Sequence, residues 1–336
     1  MIRVGILVPI YNVGKYIERC ARSLFEQTYS NIEYVFVNDC STDNSIAILE
    51  NILREYPNRT PHVKIVHHKS NRGSAASRNS GLDNSKADFL MFVDADDWLE
   101  KNATELLLQK QQETDADIVY GNALMHTASE ISELQECEYR DKRDMMLCYS
   151  RFTPGYTMVI WRRLIRKSLF SENNIRWIEG LNYAEDKYIL SQLAYYSERF
   201  CKLNKPIYHY NRLNENSLVA AIANNQFNLN AFKQEIGNIQ ATEDFFSQKN
   251  NEYFCESAKA KLLYLKRQMD LALASSSKEG FEIAAKYINA TDPFFWSTIG
   301  WNRGKFHRKL YGNYFYMKYS PLIKRPVKRI YSLIKK

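Results

Sequence analysis

Residues 89–98 read F-L-M-F-V-D-A-D-D-W. The apolar residues Phe89 to Val93 run straight into Asp94, Asp96 and Asp97. A short, unbroken apolar run is the pattern of a strand buried on both faces. Carboxylates crowded at its end repel one another unless a positive charge sits among them. The stretch therefore asks for a buried sheet and, at its rim, a cation.

The flanking sequence supplies the sheet. Val4 to Pro9, Glu33 to Val37 and Val63 to His67 read as further strands, and Ala116 to Tyr120 as a fifth. Between them lie helical patterns. Val13, Tyr16, Ile17, Cys20 and Leu24 recur at helical spacing behind Asn12 as N-cap, and Ser41 and Asp43 open a second helix. S-N-R-G-S-A-A-S-R-N-S-G leads into a helix of small residues, and Glu100 onward is helical. Asp97 reads most simply as a cap for that last helix. Strands alternating with helices predict βαβ units and a mostly parallel sheet covered on both faces. Ligands bind such sheets at the carboxyl ends of the strands. Those ends carry Tyr11 and Asn12, Asn38 and Asp39, Asn71 and Arg72, and Asp94 to Asp97.

The chain has 336 residues, enough for one large domain plus an addition or for two medium ones. Beyond Thr127 the pattern weakens; a second ordered block spans residues 156–219, and residues 225–289 read as helix broken by the turn L-A-S-S-S-K-E-G. The six cysteines form no CxxC pair and read as reduced thiols. No apolar run approaches the ~18 residues of a membrane span, and the N-terminus is already a strand without a signal-peptide layout. A cytoplasmic protein is expected.

The net charge is +8, yet residues 301–336 hold eleven Lys or Arg and no acid, leaving 35 basic and 38 acidic side chains elsewhere. In that tail the basic residues alternate with Tyr, Phe, Leu and Ile. Anionic lipid attracts such a segment, which points to the inner face of the cytoplasmic membrane. No nucleic-acid motif accompanies the charge, so nucleic acid is not an expected partner.

For the acids at the rim, hard oxygen ligands suit Mg²⁺ or Mn²⁺, usually held by one or two carboxylates together with substrate phosphates. Three chemistries compete. A dinucleotide-dependent oxidoreductase wants G-x-G-x-x-G after its first strand, where this chain has P-I-Y-N-V-G. A phosphatase with an aspartyl nucleophile wants D-x-D on the first strand rather than the fourth. The third chemistry is sugar transfer from a nucleotide diphosphate, the metal neutralising the leaving group.

The stretch V-P-I-Y-N-V-G-K-Y-I-E-R-C, then V-N-D-C-S-T-D-N-S, N-R-G-S-A-A-S-R-N-S-G-L and F-V-D-A-D-D-W resembles the donor half of a family 2 glycosyltransferase. The resemblance extends through G-L-N-Y-A-E-D-K-Y-I and P-I-Y-H-Y-N-R-L-N-E-N-S-L-V, over roughly residues 1–220. It implies the GT-A fold, a Rossmann-like α/β sheet flanked by helices. It makes residues 1–220 the catalytic domain, 221–300 a helical C-terminal region and 301–336 a basic aromatic tail.

By the same resemblance, Pro9, Tyr11 and Asn12 line the nucleotide pocket with Asn71 and Ala95. Asp39 reads uracil, Arg78 lies near the nucleotide, Asp94 faces the ribose side and the metal, and Asp96 is a metal ligand. His209 is a further candidate for the metal. Asn211 stands where many relatives have Arg, so Arg212 is the candidate diphosphate clamp. Asp186 is the implied base of an inverting displacement, with Glu185 orienting the acceptor. The expected activity is transfer from a UDP-sugar to a glycan or lipid-linked acceptor, with Mn²⁺ or Mg²⁺. The alternative is an inactive sugar-nucleotide-binding or scaffold protein of the same fold.

Overall fold

The computed structural model describes residues 1–151, 158–214 and 227–291. The tail at 301–336 lies outside the described residues. Inside the parallel half of the sheet lies β1 (Val4–Ile10), whose run V-G-I-L-V-P-I is buried almost throughout. It pairs in parallel with β2 (Ile32–Asn38) on one side and β4 (Phe89–Phe92) on the other, and β3 (Val63–His67) extends the sheet beyond β2. The helices α1 (Ile17–Phe25), α2 (Ser45–Leu53) and α3 (Ser74–Asn84) make the crossovers. Ile17, Cys20, Ala21, Leu24 and Phe25 of α1 are buried, one face of a helix turned to the sheet.

Two expected caps differ from what the fold shows. Asn12 does not cap α1; it adopts a left-handed backbone (φ 52°), and the helix begins only at Ile17. Asp97 caps nothing. The next helix, α4 (Ala103–Thr114), starts well beyond it behind Asn102, and Asp97 turns inward.

The second half of the sheet is mixed rather than parallel. β4 is flanked by antiparallel β8 (Arg163–Arg166), and β8 by antiparallel β6 (Ile118–His126). β6 carries the hairpin strand β7 (Ile131–Leu134) and pairs in parallel with β9 (Phe200–Asn211) through a bulge near Asn122. The short strand β5 (Trp98–Leu99) closes the far edge against Tyr208 and His209 of β9. That closure folds the end of the long strand β9 back onto the D-A-D-D turn.

Beyond the sheet come α5 (Lys142–Ser150), α6 (Ser168–Glu172), α7 (Glu185–Tyr196), α8 (Leu229–Ser247), α9 (Asn251–Ala274) and α10 (Lys278–Thr291). The expected turn at L-A-S-S-S-K-E-G separates α9 from α10. A second break, unmarked in the hydrophobic pattern, sits before Asn250, whose side chain caps α9 by accepting from Glu252 and Tyr253 N–H. Phe232, Ile236, Ile239, Leu265, Met269 and Phe281 give these last three helices their own apolar core. Among the described residues no helix is long and apolar enough to cross a membrane, and all six cysteines are free thiols.

Candidate active site

The D-A-D-D turn is tight, with Asp97 N–H donating to Asp94 C=O at 3.0 Å. Its three carboxylates have separate fates. Asp97 is buried; it accepts from Tyr208 O–H (2.8 Å) and from Asn211 N–H (2.7 Å). Tyr208 also accepts from Asp94 N–H at 3.1 Å, so one hydroxyl pins β9 to both ends of the turn. Burial, reinforced by Asp96 and Asp94, pushes the Asp97 carboxyl well above the usual range. Asp96 accepts from Asn214 Nδ2 at 2.8 Å, and burial together with Asp94 pushes it up to about 6. Ala95 between them is buried.

Asp94 is the acid that meets a cation, and the cation belongs to the chain. Arg78, buried on α3, donates from Nη2 to Asp94 Oδ1 at 3.0 Å and from Nη1 to Glu185 Oε1. Ser74 O–H donates to the same Glu185 oxygen at 3.0 Å. Burial opposes the charge on Arg78, but Asp186, Glu185 and Asp94 outweigh it and hold the guanidinium above its ordinary value. Expected near the nucleotide, Arg78 here joins the D-x-D turn to the E-D pair across the cleft.

Glu185 and Asp186 open α7 behind Ala184, which takes a left-handed backbone (φ 55°, ψ 26°). Burial pushes Glu185 up to about 7, with Arg78 opposing and Asp186 adding to the shift. Burial raises Asp186 as well, again against Arg78. Asp186 Oδ2 accepts from Ile160 N–H at 3.0 Å. Its Oδ1 is buried and has no hydrogen-bond partner among the described residues. A buried carboxylate oxygen without a donor is costly.

The nucleotide-side candidates gather on the rim. Pro9 is half-buried in β1, Asn71 is exposed, and Tyr11 presents its ring with 47% of its surface exposed. The Asn12 side chain accepts from Thr42 N–H at 2.8 Å, stitching the loop after β1 to the loop after β2. Asp39 is buried and already engaged: Oδ1 meets His68 Nδ1 (2.6 Å) and Arg72 N–H (2.9 Å), and Oδ2 accepts from Gly73 N–H (2.7 Å). His68 is held in turn by Ser80 Oγ at 2.8 Å. Gly73 (φ 87°) supplies the backbone that lets this loop wrap the carboxylate. Arg72 then crosses to Glu179 at 2.8 Å.

Two candidates lie elsewhere. His209 stacks on Trp98 (centroids 4.8 Å), and its ring nitrogens meet Glu100 (3.0 Å) and His126 (2.9 Å). Arg19 covers the ring of Trp98 at 3.5 Å. His209 therefore serves the β5–β9 edge, and among the described residues no group of three or more His, Cys, Asp or Glu is gathered to hold a metal. Arg212 donates to Tyr210 Oη at 3.3 Å and lies against that ring. Trp161 and Trp177 are core residues: the first stacks on Tyr208 and Tyr210, the second packs on Phe92 and Phe170.

Asp94 and Asp96 still suit a divalent ion. Both are hard oxygen donors, and an ion between them would relieve the repulsion from Asp94 that adds to burial in raising Asp96. Mg²⁺-type ions commonly take only one or two carboxylates and complete their shell with phosphate and water. One consequence is measurable. The folded-state value of Asp96, about 6, exceeds its ordinary 3.8. Its contribution to stability is thus fully present below about pH 4 and is lost as pH rises through about 6. Asp96→Asn stays neutral throughout. In EDTA it should stabilise the protein by about 1–3 kcal/mol at pH 7, shrinking toward zero at pH 4. Urea denaturation at the two pH values checks this; a gain independent of pH would contradict it.

The sequence reading did not single out Tyr208, Asn214, Ser74, His68 or Asn182. Ser74, Asn182, Tyr208 and Asn214 lie inside the stretches that carry the resemblance, whereas His68 left no local signal beyond its place after the third strand.

A family model described as "Glycosyl transferase family 2" matches residues 5–170. The chain is 31% identical over 225 residues to glycosyltransferase GlyG of Streptococcus pneumoniae, covering 62% of this chain and 70% of GlyG. It is 33% identical over 226 residues to glycosyltransferase GlyA of the same organism, covering 64% of this chain but only 31% of GlyA. Among solved structures, a fragment of S. aureus TarS in complex with UDP-GlcNAc superposes with a TM-score of 0.59 at 18% identity, over 88% of this chain and 92% of that one. Mannosyltransferase PcManGT of Pyrobaculum calidifontis, in complex with GDP-Man and Mn²⁺, gives 0.51 at 17%, over 87% and 86%. These two likenesses are of fold.

Proposed function

Because this chain belongs to glycosyl transferase family 2, we propose that it moves a sugar from a UDP-sugar to a glycan or lipid-linked acceptor, with inversion at C1. The observation that carries the reading is the Arg78 fork, which draws Asp94 of the donor side and Glu185 of the acceptor side into one site. The nucleotide would lie along the rim, its base over the exposed ring of Tyr11 and near Asp39. Asp94 and Asp96 would hold Mn²⁺ or Mg²⁺, whose charge would neutralise the departing diphosphate.

In the proposed step an acceptor hydroxyl attacks C1 of the sugar. The new C–O bond forms as the bond from C1 to the diphosphate oxygen breaks, and the electron pair leaves with UDP. Asp186 takes the hydroxyl proton on Oδ1, the oxygen that lacks a partner. Burial lifts the basicity of that carboxylate toward working pH. Glu185, tied to Arg78 and Ser74, fixes the start of α7 and so the direction of Asp186. Residues 1–220 are assigned to this chemistry, with the helices beyond as its support.

A thermal-shift panel of UDP-, GDP- and other nucleotide sugars, with and without Mn²⁺, tests the donor. A ligand at 100 times its Kd adds about 2.7 kcal/mol to the native state, a shift of several degrees. The cognate UDP-sugar should give such a shift, enlarged by Mn²⁺. A melt moved by GDP-sugars alone would reassign the base; one moved by none would remove the donor reading. Binding without UDP release in the presence of Mn²⁺ would favour the inactive alternative.

A further inference from the structure

The helix α8 lies beyond the region that the family model matches, and it treats one segment of the catalytic half unusually. Its apolar face, Phe232, Ile236 and Ile239, packs with α9 and α10. Lys233, Gln240 and Glu243 also pair with α9 or α10, but three other polar residues go to the segment that carries the acidic pair. Gln234 Oε1 accepts from Asn182 N–H at 2.7 Å. Asn238 Nδ2 donates to Tyr183 C=O at 2.9 Å and to Leu181 C=O at 3.4 Å. Glu235 accepts from Lys187 Nζ at 2.7 Å and, on its other oxygen, from Tyr264 O–H at 2.8 Å. Gly237 leaves room for Leu181, whose Cδ1 would lie 2.9 Å from an added Cβ.

Positions 234, 235 and 238 share one helix face by their spacing. Their partners bracket Ala184, the left-handed residue that aims Glu185 and Asp186. A non-glycine residue in that region costs about 1–2 kcal/mol and persists only where its surroundings over-determine it. Docking a helical bundle needs no such contacts; apolar packing suffices. Asn238 is moreover fully buried, and its Oδ1 lacks a partner among the described residues, a cost borne while its amide serves two loop carbonyls. The line of contact continues. Asn182 Oδ1 accepts from Ala75 N–H at 3.0 Å, at the start of the helix that carries Arg78.

We propose that α8 is a positioning element for the acidic pair, with Gln234, Glu235 and Asn238 holding residues 181–187 in the geometry that points Asp186 at the acceptor. This rests on Asp186 as base. The helix touches neither donor nor metal ligands in any of these contacts, so its loss should reach turnover and spare nucleotide binding.

Gln234→Ala and Asn238→Ala test it; Gln234 is only half-buried, so its variant keeps the fold if Asn238→Ala does not. Three readouts apply: hydrogen exchange by mass spectrometry, calorimetric binding of UDP with Mn²⁺, and steady-state transfer with the donor identified by thermal shift. Amides of 181–187 should exchange about tenfold faster or more, with α9 unchanged. UDP affinity and donor KM should stay within about twofold while kcat falls about 10–100-fold. Unchanged exchange in 181–187 would overturn the proposal, as would loss of protection spread equally through α9. If the wild type neither binds UDP nor transfers sugar, the functional reading fails, and the exchange data still decide whether α8 holds the loop.

Discussion

Asp186→Asn should bind UDP with Mn²⁺ as the wild type does and transfer sugar about 10²–10⁴-fold more slowly. The substitution is close to isosteric. Its amide oxygen can keep the bond from Ile160 N–H that Oδ2 now accepts, so the loop and helix should stand. What is lost is the buried Oδ1 lone pair that carries negative charge. The pH profile adds a second reading of the same group. Burial raises Asp186 above its ordinary value, and a base works only when deprotonated. The wild-type rate should therefore climb with pH along a limb displaced upward from the usual carboxylate range, and the variant's residual rate should lack that limb. Near-normal transfer by Asp186→Asn would exclude it as base and direct attention to Glu185, which burial pushes up to about 7.

Arg78→Met should be the most destabilising change in the site. It keeps most of the volume and removes the cation that, among the described residues, bonds both Asp94 and Glu185. Removing one partner of a buried pair typically costs about 3–5 kcal/mol, because the other charge is left uncompensated. Glu185 is nearly enclosed, with its side chain 10% exposed, and would take up a proton rather than stay charged. The sign follows. Without Arg78 the folded-state value of Glu185 rises further, so the variant's deficit should be smallest in acid and grow as pH increases past neutrality. Denaturation of wild type and variant from pH 5 to 8 measures this, and a uniform deficit would count against it. Adding Glu185→Gln to Arg78→Met should recover part of the loss, a coupling that a double-mutant cycle isolates. Lysine should not substitute, since one ammonium cannot reproduce a planar fork that reaches two acids at once.

The parallel half of the fold is legible in the sequence because its signals are local. Each buried strand is a short apolar run, and each carboxyl end is marked by polar residues within two or three positions. The rim from Tyr11 to Asp97 follows directly. The mixed half is harder to read. β8 is only Arg163–Arg166, it opens on the fully buried Arg163 directly behind a second buried arginine, Arg162, and its antiparallel direction is set by a distant partner, β4. The site divides in the same way. Asp94, Asp96, Glu185 and Asp186 stand out as acids at element ends. Arg78 also stands out, the lone basic residue in a helix rich in Ala, Ser and Asn, but its two partners lie far apart along the chain and no spacing encodes the fork. Asp97 resembles a cap because acids before helices usually are caps; the Tyr208 hydroxyl that claims it arrives from β9. His209 invites a metal on composition, and only the register of β9 against β5 shows it committed to Glu100, His126 and Trp98.

The contact between α8 and the loop before α7 bears on how such enzymes can be recombined. The loop residues and their holders, 181–187 and 234–238, are separated by most of α7 and all of β9, yet they meet as one surface. A chimera joined at residue 170, where the family model ends, would carry loop and helix together and keep their fit. One joined between β9 and α8 would put a foreign helix against a native loop, leaving the carbonyls of Leu181 and Tyr183 to find new donors. The unit to exchange intact is therefore the loop with its helix, however far apart they lie along the chain.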